Sequence, residues 1–379
     1  MVTAAPRLDV DALLANPATK IIVCCGSGGV GKTTTAAALG LRAAEQHGRR
    51  TVVLTIDPAR RLAQSMGLTE LDNTPRQVKG IETGAAGGEL FAMMLDMKRT
   101  FDEVVQAHTT PKRAAEIFAN PFYQAMSSTF SGTQEYMAME KLAQLRARNG
   151  WDLIVVDTPP SRSALDFLDA PARLSRFLDG RMLRMLLAPA RSGGRSMFSL
   201  VTASFGLFSR TVQKILGAQL LTDLSGFVAA LDSMFGGFRQ RADETYRILQ
   251  DPQTAFLIVA VPERDAVREA AYFAERLVAD RMPLAGLVLN RTHRTQLAAI
   301  GAETAEAAAA ALDQAGDQRI TADALRVHAG LVRQIEREVR VAATFTDQFP
   351  AVPAVAVAAQ PADVHDVDGL RTIADAFGR

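Results

Sequence analysis

Cysteine is scarce in this chain, because 379 residues contain only two, the adjacent Cys24 and Cys25. Neighbouring residues on a strand point to opposite faces, so this pair suits neither a chelated metal nor a structural disulfide. We therefore expect both thiols to be buried and inert. The sequence also lacks an apolar run of about 18 residues, which a membrane-spanning helix needs. Its first residues lack the basic and apolar regions of a secretory signal, so we expect a cytoplasmic protein.

Neither sign of charge is in excess. Lysine and arginine total 42, aspartate and glutamate total 41, and the formal net charge is +1. A chain whose main partner is nucleic acid usually carries a basic surplus, so we expect no nucleic-acid partner. Hydrophobic residues make up 48% and charged residues 22%, which is typical of a folded globular protein.

The sequence does contain a phosphate-binding loop. Residues 26–33 read Gly-Ser-Gly-Gly-Val-Gly-Lys-Thr, between an apolar run that predicts a strand and an Ala-rich segment that predicts a helix. Glycines let successive N–H groups face an anion, and the helix N-terminus adds donors and a positive dipole end. Lys32 can reach the β- and γ-phosphates of a nucleotide, and the Thr33 hydroxyl can ligate Mg²⁺. The residues expected to bind the nucleotide here are Gly28, Gly29, Val30, Gly31, Lys32, Thr33 and Thr34.

Apolar runs alternate with helical segments along much of the chain. The runs that predict strands lie at residues 51–56, 152–156, 255–261, 284–289 and 351–358. This alternation predicts an α/β fold, namely a P-loop NTPase with a mainly parallel sheet flanked by helices. Residues that follow the carboxyl ends of such strands share one edge of the sheet. We therefore expect Asp57, Asp157 and Asn290 to lie beside the loop.

Two of these polar residues are candidates for phosphoryl-transfer chemistry. Asp157 ends a predicted buried strand where a Walker-B carboxylate belongs, within reach of Mg²⁺ or its water shell. Asp57 ends another strand, where a carboxylate can orient the water that attacks the γ-phosphate. We take Lys32 and Asp57 as catalytic, and Thr33, Asp57 and Asp157 as the metal site. The alternative for either aspartate is a helix N-cap.

Two stretches interrupt the alternation of strands and helices. Residues 97–150 and 163–250 are helical in pattern, and we interpret them as one inserted all-α subdomain. The nucleotide-binding core would then comprise residues 1–96, the short segment 151–162 with its strand, and residues 251–379.

Separated motifs resemble one group of ATPases. Asp57-Pro58-Ala59 looks like the switch I, and Asp157-Thr158-Pro159-Pro160 like the switch II, of the arsenite-pump and tail-anchored-protein targeting ATPases. Residues 134–137 resemble an acidic turn of that family, and Asn290 matches its adenine-contacting asparagine. Its actinobacterial branch is the nearest match we can name. The resemblance implies ATP, Mg²⁺ and a dimer that closes around two nucleotides and couples hydrolysis to rearrangement of its helical subdomains.

The sequence also departs from the family. The deviant Walker A loop of these ATPases begins with a lysine that crosses the dimer interface, and Ser27 stands in its place here. The chain lacks the Cys-x-x-Cys that binds zinc between targeting-ATPase subunits, so no zinc is expected. It also lacks the separated cysteines of arsenite pumps, which counts against an anion or arsenite pump.

Three interpretations of Ser27 stay open. The chain pairs with a paralogue that retains the lysine, rather than only with itself; or Arg60, Arg61 or Arg162 supplies the charge; or hydrolysis is slow and the protein acts as a nucleotide-gated switch. For the arginines, the alternative is a solvated surface position.

A protein client is a further expected partner. Methionines in and before the helical stretches suit an adaptable groove for apolar helices, with plain core packing as the alternative. They are Met93, Met94, Met97, Met126, Met137, Met139, Met182, Met185 and Met197. The last helix carries few cations, so no stable membrane anchor is expected.

The function expected from these features is that of a Mg²⁺-dependent ATPase whose nucleotide-driven dimer closure binds or releases a client. The alternative is a slow or non-catalytic regulatory subunit of a heterodimer with a lysine-bearing paralogue.

Overall fold

The structure is a computed structural model, and its described residues divide into two compact units. The described residues are 6–57, 61–82, 84, 87–121, 123–124, 133–159, 244–316 and 318–378. The first unit takes those within Met1–Met94, Leu145–Leu165 and Leu249–Arg379, and the second those within Leu95–Gln144 and Asp166–Ile248. Most of the expected helical subdomain falls outside the described residues, so its existence and the domain boundaries stay predictions.

The first unit contains a sheet in which eight strands are described, in the order β3-β4-β2-β5-β1-β6-β7-β8. All neighbours pair in parallel except β3 and β4. The strands are β1 Ile21–Cys25, β2 Arg50–Thr55, β3 Arg76–Gln77, β4 Glu89–Met94, β5 Leu153–Asp157, β6 Thr254–Ala260, β7 Leu284–Thr292 and β8 Ala354–Ala358. The expected α/β fold with a mainly parallel sheet is confirmed.

Helices flank this sheet and occupy the described part of the second unit. They are α1 Val10–Ala15, α2 Lys32–His47, α3 Arg61–Ser65, α4 Met97–His108, α5 Pro111–Phe118, α6 Thr133–Ala147, α7 Arg264–Ala279, α8 Ala302–Ala315, α9 Arg319–Gln348 and α10 Val367–Phe377. Within the described ranges, none of these helices combines the length and apolar character needed to cross a bilayer.

The central strands are buried along their whole length. Every residue of β1, β5 and β6 is buried, as expected where helices cover both faces of a parallel sheet. Cys24 and Cys25 belong to this core as buried free thiols. Burial raises the pKa of the Cys25 thiol to about 12, so it stays protonated and unreactive at neutral pH.

Two strands differ from the sequence-based expectation. The segment Glu89–Met94 was not predicted as a strand, because its Glu-Leu-Phe-Ala-Met-Met sequence is poor in β-branched residues. The segment pairs in parallel with β2, and this pairing, rather than its own composition, stabilises the extended conformation. The run predicted to end at residue 289 continues as β7 to Thr292, with a register shift against β8 between Leu289 and Thr292.

Of the methionines considered for a client groove, three are buried, two are half-buried and four lie outside the described residues. Met93, Met137 and Met139 are buried, so core packing, rather than a client groove, accounts for these three. Met94 and Met97 are half-buried. The other four, Met126, Met182, Met185 and Met197, lie outside the described residues.

One buried arginine joins several loops at the edge of the sheet opposite the phosphate-binding loop. The guanidinium of Arg49 donates to the carbonyls of Leu14 (3.0 Å) and Thr19 (2.6 Å), and also to that of Asp152. Burial lowers the pKa of Arg49, although its side chain stays charged in practice. These bonds connect the last turn of α1 to the segments that precede β1 and β5.

We expect Arg49→Met to destabilise the protein by about 2–4 kcal/mol, because it leaves several buried carbonyls without a donor. Urea denaturation followed by circular dichroism measures this. The matched control is Arg76→Met, which removes an exposed 2.9 Å ion pair with Asp72 and should change stability by less than about 1 kcal/mol. Equal effects of the two substitutions would contradict the structural role of Arg49.

Candidate nucleotide-binding site

The phosphate-binding loop depends on glycine at two positions for different reasons. Gly31, the N-cap of α2, has φ 91°, a left-handed conformation that favours glycine. Gly26 leaves β1 so close to β6 that a Cβ there would lie 2.1 Å from the Val259 carbonyl oxygen. The loop therefore has the tight turn that directs its amides and the start of α2 toward one point.

Lys32 lies inside this loop, with its side chain folded back on it. Its Nζ donates to the Ser27 carbonyl oxygen at 2.7 Å, and the residue is only 6% exposed. Burial lowers the pKa of Lys32, and the nearby carboxylates of Asp157 and Asp57 oppose that shift. The ammonium is thus held beside the positions where phosphates would bind.

Asp157 ends β5 with no exposed surface and forms a cluster of hydroxyl–carboxylate bonds. Its Oδ2 accepts hydrogen bonds from Thr33 Oγ1 and Thr55 Oγ1, each at 2.8 Å. Its Oδ1 is buried and has no hydrogen-bond partner among the described residues. Burial raises the pKa of Asp157 to about 6, against the hydrogen bonds from the two threonines and the charge of Lys32, which lower it.

A cavity of about 480 Å³ opens beside the loop. Its lining residues are Gly29, Gly31, Lys32, Thr33, Thr34, Asp57, Gln64, Ser65, Arg291, Asp363, Val364 and His365. The last six of these, from Gln64 onward in the list, were not predicted as site residues. The rule that strand ends share an edge could have found Arg291, near the end of β7, and the three residues that follow β8, since it placed Asn290 at the same edge.

The predicted residues occupy different places around the cavity. Gly29, Gly31, Lys32, Thr33, Thr34 and Asp57 line it, Gly28 is exposed, and Val30 is buried. Asp57 is half-buried at the end of β2. Arg60, Arg162 and the side chain of Arg61 lie outside the described residues, so their predicted roles stay predictions.

Asn290 lies behind the loop and is 7% exposed. Its Nδ2 donates to the Val30 carbonyl oxygen at 2.9 Å, and its Oδ1 accepts from the Arg291 amide at 2.9 Å. A Cβ on Gly31 would lie 2.3 Å from that Nδ2, so the asparagine and the loop are closely fitted. The adenine contact implied by the resemblance stays a prediction, and in this structure the side chain braces the loop.

The donor set fits Mg²⁺. Thr33 offers a hydroxyl, and Asp157 offers a carboxylate whose Oδ1 has no partner among the described residues. Asp57 adds a second carboxylate on the cavity wall. The described part of the chain contains no group of three or more His, Cys, Asp or Glu side chains that could bind a metal ion by themselves. Mg²⁺ does not need one, because it is commonly held by one or two carboxylates together with water and substrate phosphates.

The chain is similar in sequence to known ATPases. A family model described as anion-transporting ATPase matches residues 19–305. The chain is 24% identical over 283 residues to "ATPase ASNA1 homolog 1" of Paramecium tetraurelia, covering 74% of this chain and 77% of that protein. It is 25% identical over 278 residues to "ATPase GET3" of Malassezia globosa, covering 72% of each. It is 25% identical over 277 residues to "ATPase ARSA2" of Chlamydomonas reinhardtii, covering 72% and 67%.

The buried carboxylate of Asp157 predicts a pH-dependent stability. Its pKa rises from 3.8 in the unfolded chain to about 6 in the folded one, so the folded state is not penalised below pH 3.8 and loses stability as the pH rises through 6. Asp157→Asn removes that penalty, which is about 3 kcal/mol when fully developed.

We therefore expect the unfolding free energy of Asp157→Asn, relative to the native sequence, to increase by up to about 3 kcal/mol between pH 4 and pH 7. Urea denaturation at several pH values, with chelator and without nucleotide, measures this difference. A difference independent of pH would show that folding does not shift the pKa of Asp157.

Proposed function

The chain belongs to the anion-transporting ATPase family, and from this premise we propose that it hydrolyses ATP to ADP and phosphate at the cavity beside residues 26–34. The expectation of an ATP hydrolase of this family is confirmed by the match and by the relatives named as ATPases. Its narrower assignment to an actinobacterial branch stays a prediction.

The observation that best supports this proposal is the contact of Thr33 with Asp157. The first hydroxyl after the loop lysine lies 2.8 Å from a fully buried carboxylate at the end of the neighbouring strand, beside Lys32. Phosphoryl transfer needs mainly positioning and neutralisation of charge; Lys32 supplies a positive charge, and Thr33 and Asp157 supply oxygen ligands for a metal ion. A glycine-rich turn with no nucleotide to bind would have no need for the buried carboxylate.

Each group has a distinct proposed role. Lys32 exchanges its bond with the Ser27 carbonyl for the β- and γ-phosphates, which restores a strong partner to its charge. Thr33 and Asp157 would hold Mg²⁺, which when bound would neutralise phosphate charge. Asp57, at the cavity wall, orients the attacking water. The loop amides and the start of α2 bind the phosphates.

The groups around Ser27 leave one requirement unmet. Lys32 is the cation that lines the cavity from the loop itself, and Ser27 cannot provide a second one. We propose that a lysine from a paralogous ATPase subunit enters on dimer closure, with Arg60, Arg61 or Arg162 as the alternative source. Closure would couple turnover to a protein client with an apolar helix, bound at the helical stretches 97–150 and 163–250.

Steady-state ATPase assays test the catalytic proposal. We expect measurable MgATP hydrolysis by the native sequence, and a loss of about 100-fold or more with Asp57→Asn, which removes the charge that orients water but keeps the shape. Lys32→Ala should in addition abolish tight ATP binding. The control Asp347→Asn, an exposed position on α9, should leave turnover unchanged.

The second candidate function is a regulatory subunit whose partner performs hydrolysis, favoured by the uncharged Ser27. Hydrolysis that appears only with the partner and survives Asp57→Asn would establish it and contradict catalysis by this chain. An anion pump would instead show turnover stimulated by arsenite, and unchanged turnover would exclude arsenite as its substrate.

Native mass spectrometry of the protein purified from its own cells tests the partner. We expect a complex with a second ATPase chain that carries lysine where this chain has Ser27, because an added cation at the γ-phosphate accelerates transfer. A homodimer that hydrolyses ATP at the same rate as any mixed complex would contradict the paralogue proposal and favour an arginine of this chain.

A further inference from the structure

Arg291 has an unusual position at the edge of the nucleotide cavity. It is an exposed residue between two buried ones, Asn290 and Thr292, near the end of β7. Its φ is 57°, in the left-handed region that glycine and, less often, asparagine favour. This residue lines the cavity together with Gly29 and Lys32.

The chain on either side of Arg291 is firmly held. Asn290 bonds the loop through the Val30 carbonyl, and Thr292 Oγ1 donates to the Val357 carbonyl oxygen at 3.1 Å. The next residue, His293, bonds Glu338 through its amide at 2.8 Å and its ring at 2.6 Å. The register shift between β7 and β8 falls within this segment. Because its neighbours are fixed, the structure maintains a strained backbone that turns Arg291 toward the cavity.

The strand order shows which part of a nucleotide Arg291 would meet. Asp157 ends β5 and Asp57 lies just after β2, on one side of β1 and its loop, whereas Arg291 lies near the end of β7 on the other side. If the metal and the γ-phosphate lie at the aspartate side, the nucleoside extends toward β7 and β8. Arg291 makes no ion pair with any acidic side chain in the described ranges, so its guanidinium is available to a ligand there.

We propose that Arg291 binds the nucleoside end of ATP by stacking its guanidinium on the base. This inference rests on the proposed function and assigns the site a residue that sets affinity rather than turnover. A planar, weakly hydrated guanidinium stacks well on a flat π-system, which an ammonium does less well. Arg291 is therefore not a replacement for the missing lysine, because it lies at the opposite end of the phosphate chain.

The test compares ATP and tripolyphosphate binding by isothermal titration calorimetry in the native sequence, Arg291→Ala and Arg291→Gly. We expect both variants to bind ATP about tenfold more weakly, the effect of a partly desolvated cation–π contact. Their affinity for tripolyphosphate, which has no base, should stay within twofold of the native value. In ATPase assays the KM for ATP should rise while kcat changes little.

The chain offers a matched control in Arg281, another exposed arginine with a left-handed backbone (φ 55°), in the turn after α7. Glycine relieves the strain at either position, so Arg281→Gly and Arg291→Gly should both preserve or raise the melting temperature without ligand. Only Arg291→Gly should weaken ATP binding, which separates a binding role from a structural one.

Unchanged ATP affinity in both Arg291 variants would overturn the proposal, and so would an equal loss for tripolyphosphate. If the native protein bound ATP and Lys32→Ala did not, such a result would overturn only the role of Arg291. If the native protein itself bound no ATP, the proposed function would fail together with this inference.

Discussion

The Asp157 carboxylate is buried where an ionised group is costly, and the arrangement of the site follows from that cost. Two threonine hydroxyls, at 2.8 Å each, donate to one of its oxygens, and Lys32 supplies a neighbouring positive charge. Desolvation outweighs the hydrogen bonds and the lysine charge, and the pKa of Asp157 is therefore raised to about 6. The second oxygen has no partner among the described residues, so a cation at that place would relieve both the charge and the unsatisfied acceptor. The cost of this buried charge would therefore fall when a metal and phosphates bind.

The parallel sheet gives this carboxylate its surroundings. β5 pairs with β1 so that Cys24 lies opposite Asp157, which positions the carboxylate beside the beginning of the loop. β2 pairs with β5 on the other side, with Thr55 opposite Asp157, which explains why that hydroxyl reaches the carboxylate. Residues far apart in sequence therefore meet, because strands that are neighbours in the sheet end at the same level. Thr158, next along the chain, donates to the Cys24 carbonyl at 2.8 Å and fixes the direction in which the chain leaves β5.

Sequence patterns were sufficient for the parts of the site that depend on local chemistry. The loop has its own signature, and Asp57 and Asp157 each follow a run of buried residues, so the rule for strand ends placed them correctly. β4 was missed because its composition is neutral about conformation and its pairing with β2 decides the outcome. Arg291 was missed for a related reason. Its orientation arises from a register shift between β7 and β8 and from the hydrogen bonds that Asn290, Thr292 and His293 make to other segments, which no local pattern records.

Ser27 acquires a more definite meaning in this setting. Lys32 bonds the backbone carbonyl of Ser27, a group that every residue type possesses, so the identity of the side chain at this position does not affect how the loop holds its lysine. The Ser27 side chain is half-buried, and the turn is formed by the glycines around it. Replacing lysine by serine there removes a charge without disturbing the site in which the phosphates bind. In the proposed binding mode, the deficit concerns only charge at the far end of the phosphate chain, which Arg291 on the nucleoside side would not supply. Affinity and turnover are separable in such a site, because the groups for one belong to this chain and a cation for the other can arrive with a partner.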